Sequence, residues 1–197
     1  MVEAFNQRQG PSEAEQPDIV TYNEDFVVIR DKFPKGLIHW LVLPRKEMLE
    51  EVGQLTGAHV GLLRGMCEMG KQLLALARSE LNDETLECWT GFHSAPSMKL
   101  LHLHFISSDL NGDRMTKPSH WISFTTPFFI RLPDMLRRLE QAGNPQIDIE
   151  AEKKLKKGKP TCPICKLQFK NNEDGVIEAK KHYQSCRTSH IEAGSQS

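Results

Sequence analysis

Two imidazoles, His102 and His104, lie two residues apart in the stretch Ser97–Ser107. Farther along, three thiols and an imidazole crowd together as Cys162, Cys165, His182 and Cys186. The first pair suits attack on phosphorus or an acyl carbon. A neutral imidazole is available near pH 7, since its ordinary pKa is about 6.5, and it forms covalent intermediates. A second imidazole on the same face can donate to the oxygens of the same group. Polar segments around the pair carry Lys35, His93, Ser97 and Lys117, side chains that stabilise developing negative charge. No carboxylate pair points to glycosidic chemistry, and no glycine-rich helix entry points to a phosphate-binding loop.

The second group reads C-x2-C-x16-H-x3-C. Cys-x2-Cys places two thiolates on one zinc, and residues at i and i+4 share one face of a short helix. Cys162, Cys165, His182 and Cys186 are therefore expected to hold a structural Zn2+ as a Cys3His finger, with His190 a poorer substitute ligand. Four protein ligands leave no open position, so this metal would hold structure and do no chemistry.

These groups need scaffolding. The stretch around His102 alternates, with Leu101, Leu103 and Phe105 to one side and Leu100, His102, His104 and Ile106 to the other, and so predicts a buried strand over 97–107. Further strands are expected at Ile19–Tyr22, Phe26–Arg30, Leu37–Leu43, Leu86–Phe92, Trp121–Phe124 and Phe128–Arg131. A short helix is expected to begin within Glu47–Val52 and a long core helix to run from His59 to Leu81. Another is expected over Pro133–Ala142, stopped by Gly143. Two groups of strands around one long helix give an α+β domain with a mostly antiparallel sheet over 18–143. Residues 144–159 read as a basic linker, 160–190 as the finger, and 1–17 and 191–197 as disordered ends.

The chain has 197 residues and a net charge of −1 that hides an asymmetry. Residues 1–150 carry 15 Lys+Arg against 21 Asp+Glu, whereas 151–187 carry 10 against 4. An acidic body with a basic finger segment points to a nucleic-acid partner at the finger. No apolar run approaches a membrane span, and Met1–Gln16 is polar, so an intracellular protein without a membrane partner is expected. Cys67 and Cys88 fall inside apolar patterns and read as buried free thiols.

Leu100-x-His102-x-His104-Phe105-Ile106 resembles the signature of the histidine-triad superfamily. With Val27–Lys35, His39–Pro44, Gly91–Met98, His120–Phe124 and the terminal finger, the chain resembles most closely the aprataxin family over residues 18 to 187. That resemblance implies a histidine-triad fold and a nuclear DNA-repair hydrolase. Its substrates would be nicked or 5′-adenylated DNA ends, RNA–DNA junctions included, and it would release AMP through an AMP–histidine intermediate. It makes His102 the nucleophile, His104 a phosphate contact and His93 the group near the leaving phosphate. Lys35, Ser97, Asp31 and Lys117 would bind substrate, and His39 would give structural support. A monomer is expected, since the finger would occlude the surface through which other members of the superfamily pair.

Leu100 stands where the superfamily places its first histidine, so another group, such as a backbone carbonyl, must fix the tautomer of His102. Two alternatives stand beside this reading: a DNA-end binder without catalysis, and a hydrolase of small nucleoside phosphoramidates. The finger is read as separable, so removing 151–197 should weaken DNA binding and spare hydrolysis of a small adenylate.

Overall fold

The computed structural model describes residues 18–194, with side chains through residue 189. The expectations for 1–17, for 195–197 and for the His190 side chain lie outside the described residues.

Six strands form one antiparallel sheet in the order β1-β2-β3-β5-β4-β6. They are β1 Ile19–Tyr22, β2 Phe26–Arg30, β3 His39–Pro44, β4 Cys88–His93, β5 Leu103–Ser107 and β6 Phe129–Arg131. The first two match their predicted bounds, and Pro44 ends β3. Helix α1, Val60–Leu81, buries Leu63, Met66, Met69, Leu73 and Ala77. It shares its core with Val28, Trp40, Val42, Leu103 and Phe105 from one sheet face. Period 2 on the strands and period 3.6 on the helix thus meet in one apolar layer. Helix α3, Leu132–Ala142, adds Leu132, Met135 and Leu139 to this layer. It ends at Gly143, whose φ of 72° suits glycine. Cys67 and Cys88 are half-buried at the margin of the core, not fully enclosed.

Four expectations are corrected. Residues 97–102 are loop, and β5 begins only at Leu103, although the alternation of faces continues back through Leu101. Leu100 has a φ of 146°, which an extended strand does not tolerate. Trp121–Phe124 belongs to helix α2, Pro118–Thr125, with proline at its first position. No α-helix starts in Glu47–Val52; a single 3-10 turn covers Val52–Gln54. The basic linker contains helix α4, Ile149–Leu155, capped by the Asp148 carboxylate on the Ala151 N–H at 3.0 Å.

The finger helix α5, Glu173–Gly194, runs past the predicted boundary at 190. A second apolar cluster joins the two segments expected to be separate. Ile106, Leu110, Met115, Trp121, Phe124 and Phe129 pack with Cys162, Val176, Ala179 and Tyr183. The Trp121 indole N–H donates to the Thr161 carbonyl (3.0 Å), and the Tyr183 hydroxyl to the Ser108 carbonyl (3.0 Å). The finger is therefore built onto the α+β body, and not hung from it by a linker. Among the described residues no helix is long and apolar enough to cross a membrane.

Candidate active site and metal centre

The sheet face opposite α1 carries four imidazoles. In register, His39 on β3 lies opposite Ile106, and Leu41 lies opposite His104 on β5. His93 ends β4, and His102 sits in the residue just before β5. His104 is the hub: its ring centroid is 4.3 Å from His93, 4.9 Å from His102 and 5.2 Å from His39. Phe124 of α2 closes edge-on against His39, His93 and His104 at 4.7 to 5.5 Å. Four successive residues of α2, Trp121 to Phe124, are buried.

Hydrogen bonds fix the tautomers in turn. His102 Nδ1 lies 2.7 Å from the Leu100 carbonyl oxygen. A carbonyl only accepts, so Nδ1 carries the proton, and the lone pair is left on Nε2. The unusual Leu100 backbone is held by its N–H on the Glu50 carbonyl (3.0 Å) and by the Leu101 N–H on the Leu49 carbonyl (2.6 Å). The backbone carbonyl thus fixes the tautomer of His102 without a side-chain partner.

A second chain runs through His39. The Lys35 backbone N–H donates to His39 Nδ1 at 3.2 Å. His39 Nε2 must then carry the proton and donate to His104 Nδ1 at 2.9 Å. The Asp31 carboxylate, 3.5 Å from His39 Nε2, favours the same tautomer. His104 Nε2 is consequently a donor, and it is buried without a partner. His93 Nε2 and Ser94 Oγ are likewise buried and unpartnered. Buried polar atoms without partners are rare, and three of those found among the described residues fall at His93, Ser94 and His104.

Burial pushes all four imidazoles below the ordinary histidine value. His39 falls to about 4, against an upward pull from Asp31. His93 and His104 fall well below it, with neighbouring positive charges adding to burial. His102 falls less, because its bond to the Leu100 carbonyl and the charge of Asp31 oppose burial. All four are neutral at pH 7, as a nucleophile and a neutral donor require.

The remaining predicted residues are placed unevenly. Lys35 is half-buried on a loop gripped by Gly112: the Gly112 N–H donates to the Lys35 carbonyl, and a side chain there would strike the Pro34 carbonyl at 2.5 Å. Asp31 is bound through its other oxygen to the Phe33 N–H at 2.7 Å. Ser97 is exposed on the loop before His102. Lys117 is exposed at the start of α2, where its N–H donates to His120 Nδ1 at 3.3 Å. Sequence reasoning missed two groups. The run of lysines in the linker gave no sign that Lys156 would stand beside Phe128, nor did Ser94 stand out from its loop.

Ile29, Leu41 and Leu43 form a small apolar patch with Val27, Met98 and Leu100 on the histidine face. Leu41 lies between Ile29 and His104 across the strands, so the patch borders the imidazoles directly.

The ligand atoms of Cys162, Cys165, His182 and Cys186 all lie within 4.8 Å of one another. A tetrahedral zinc with bonds of about 2.0 to 2.3 Å needs that spacing, so the donor set fits a metal ion such as zinc. Cys162 and Cys165 lie within the turn closed by the Thr161–Gln168 bridge, and His182 and Cys186 lie one turn apart on α5.

Comparison with known proteins agrees with this architecture. The family model described as scavenger mRNA decapping enzyme C-term binding matches residues 5–120. An aprataxin-like protein of Saccharomyces cerevisiae is 30% identical over 89% of this chain and 90% of its own length. This chain belongs to the aprataxin family of histidine-triad proteins. Gallus gallus aprataxin is 33% identical over 87% of this chain, which spans 53% of that relative's length. The crystal structure of the aprataxin orthologue Hnt3 in complex with DNA has the same fold, with a TM-score of 0.68, 23% identity, and coverage of 89% of this chain and 92% of that one.

Proposed function

We propose that this protein is a nuclear DNA-repair hydrolase that removes AMP from 5′-adenylated DNA ends, RNA–DNA junctions included. The observation that carries the reading is the His102 tautomer. Its Nδ1 proton is committed to the Leu100 carbonyl, so Nε2 presents a lone pair beside the unpartnered donor His104 Nε2. In this reading His102 Nε2 attacks the α-phosphorus of the adenylate. A P–N bond forms, the P–O bond to the DNA 5′-phosphate breaks, and that phosphate departs with the electron pair. His104 donates to an oxygen of the attacked phosphate, and His93 faces the departing one. Water then cleaves the P–N bond, giving AMP and regenerating His102. The apolar patch of Ile29, Leu41 and Leu43 suits the face of a purine lying next to the attacked phosphate.

Lys35 and Ser97 would contact phosphate oxygens, with Asp31 and Lys117 at the rim. Cys162, Cys165, His182 and Cys186 would hold Zn2+, which supplies structure and no reaction step. The exposed Lys153, Lys154, Lys157, Lys159, Lys166, Lys170 and Lys181 of the linker and finger would neutralise DNA phosphates. A protein working as a monomer needs no second copy to complete this site. The relatives named aprataxin support the substrate class, as does the DNA in the Hnt3 complex.

The test is turnover of a nicked, 5′-adenylated duplex, with AMP release followed. Wild type should release AMP and leave a 5′-phosphate, and His102→Ala should bind the duplex yet release none. Binding without AMP release by wild type would leave a DNA-end binder. Turnover of small phosphoramidates with no preference for the duplex would leave a small-molecule hydrolase.

A further inference from the structure

Lys156 differs from every other lysine in its run. Lys153, Lys154, Lys157 and Lys159 are exposed, whereas Lys156 is half-buried. It caps the C-terminal end of α4, and its Nζ lies 4.0 Å from the centroid of the buried Phe128 ring. The His93 ring packs on the same Phe128, with centroids 5.3 Å apart. One aromatic side chain thus carries the ammonium and the imidazole as neighbours. Among the described residues no carboxylate pairs with Lys156, and burial alone lowers its pKa. A partly desolvated cation without a counter-ion calls for an anion from outside. His93 Nε2 and Ser94 Oγ, on consecutive residues, are both buried without a partner, and the Ser94 N–H is bound to the Phe128 carbonyl at 3.0 Å. The ammonium and the Ser94 hydroxyl, with no acceptor in the protein, make an oxyanion subsite beside the pair His102 and His104; His93, whose other ring nitrogen bonds the Ser123 carbonyl, joins it by taking up a proton on Nε2.

We propose that Lys156, delivered from the linker by α4, binds the departing 5′-phosphate together with His93 and Ser94. This rests on the adenylate-transfer reading of the preceding section. The group it serves is the phosphate that leaves, not the phosphate that is attacked. As the P–O bond to the leaving phosphate breaks, that phosphate gains negative charge, and an ammonium fixed over Phe128 neutralises it without reorganising. The assignment also explains why a helix interrupts an otherwise exposed basic linker. The lysines on either side meet solvent, and one turn of helix turns Lys156 inward.

The experiment uses the full chain and compares wild type, Lys156→Met and Lys156→Arg. Methionine keeps the apolar stem on Phe128 and removes the charge, and an unchanged melting temperature checks folding. Two substrates separate the phosphates: a 5′-adenylated duplex, whose leaving group is a phosphate, and adenosine 5′-phosphoramidate, whose leaving group is ammonia. Lys156→Met should lower kcat/KM on the duplex by about tenfold or more, the worth of a charge-assisted bond at a partly open site, and change phosphoramidate turnover by less than about twofold. Lys156→Arg should restore most of the loss. Equal losses on both substrates, or no loss on the duplex, would overturn the assignment. Inorganic phosphate, followed by its effect on the His93 ring resonances, gives a readout without turnover. Lys156→Met should weaken phosphate binding by about tenfold. Equal phosphate affinity in wild type and Lys156→Met would overturn the subsite even if the duplex were not the substrate, and a wild type inactive on the duplex would overturn the reaction itself.

Discussion

His39 Nε2 lies 2.9 Å from His104 Nδ1, and this contact decides which nitrogen of His104 carries a proton. Because the Lys35 N–H already occupies His39 Nδ1, the proton order along the chain is set by a backbone amide. Removing His39 frees His104 to adopt the tautomer in which Nε2 is an acceptor and repels phosphate oxygens. His39→Ala should therefore lower the rate of AMP transfer by about ten- to a hundredfold, the range seen when an orienting partner is lost. Single-turnover rates with the adenylated duplex check this. DNA affinity should hardly move, since His39 is buried and carries no charge at pH 7.

The buried imidazoles tie stability to pH. In the folded chain His39 titrates at about 4, and in the unfolded chain near 6.5. Above about 6.5 neither state is protonated there, and the residue leaves stability unchanged. As pH falls from about 6.5 to about 4 the unfolded chain takes up the proton first, so the folded state loses stability. The loss from His39 alone reaches about 3 kcal/mol at pH 4, since each tenfold step is worth about 1.4 kcal/mol. His93 and His104 shift in the same direction and add to it. Urea denaturation at pH 7, 6, 5 and 4 should show a midpoint that falls steadily below pH 6.5. In His39→Asn, whose amide does not titrate, the fall should be shallower.

The pattern of faces was readable from the sequence because alternation survives even where hydrogen bonding does not. Leu101 and Leu103 enter the core, and His102 and His104 turn to the opposite face with the other imidazoles, although the strand itself starts at Leu103. The turn at Leu100 was not readable, because no residue preference marks a leucine for a φ of 146°. Trp121–Phe124 looked like a strand for a physical reason. Four successive buried residues carry no helical period when a helix is enclosed by the imidazoles on one side and the finger on the other. The Cys3His cluster was legible because each half of it, Cys-x2-Cys and His-x3-Cys, has a local spacing. Lys156 was hidden because its meaning comes from Phe128, 28 positions away and on another element.

Leu100 serves through its backbone. Leu100→Ala keeps the carbonyl that holds His102 Nδ1 and should leave AMP transfer within about threefold of wild type, the side chain contributing only an edge contact to the apolar patch. Leu100→Pro removes the N–H bound to Glu50 and forces φ toward −65°. It should misplace the carbonyl, free the His102 tautomer and lose most activity. A single-turnover comparison of the two variants decides the point: equal, severe losses would mean that the leucine side chain, not its carbonyl, supports catalysis.

Metal removal should reach the histidines through α2. Trp121 donates to Thr161, next to the ligand Cys162, and shares a cluster with Cys162, Val176 and Tyr183. Three residues on, Phe124 packs edge-on against His93 and His104. A finger that loosens without its metal would therefore unseat the helix that closes the site, and residues 151–197 cannot be deleted without baring Trp121, Phe129 and Ile106. Chelation, or Cys162→Ser, should lower the melting temperature of the whole body in one transition and shift the His93 and His104 ring resonances. Turnover of a small adenylate should fall along with DNA binding. Trp121→Phe, with the metal kept, should cost about 1–3 kcal/mol by leaving the Thr161 carbonyl unpaired and the indole's volume partly empty. Two separate unfolding transitions, with imidazole resonances unmoved by chelation, would mean that finger and catalytic body are energetically independent despite their shared apolar cluster.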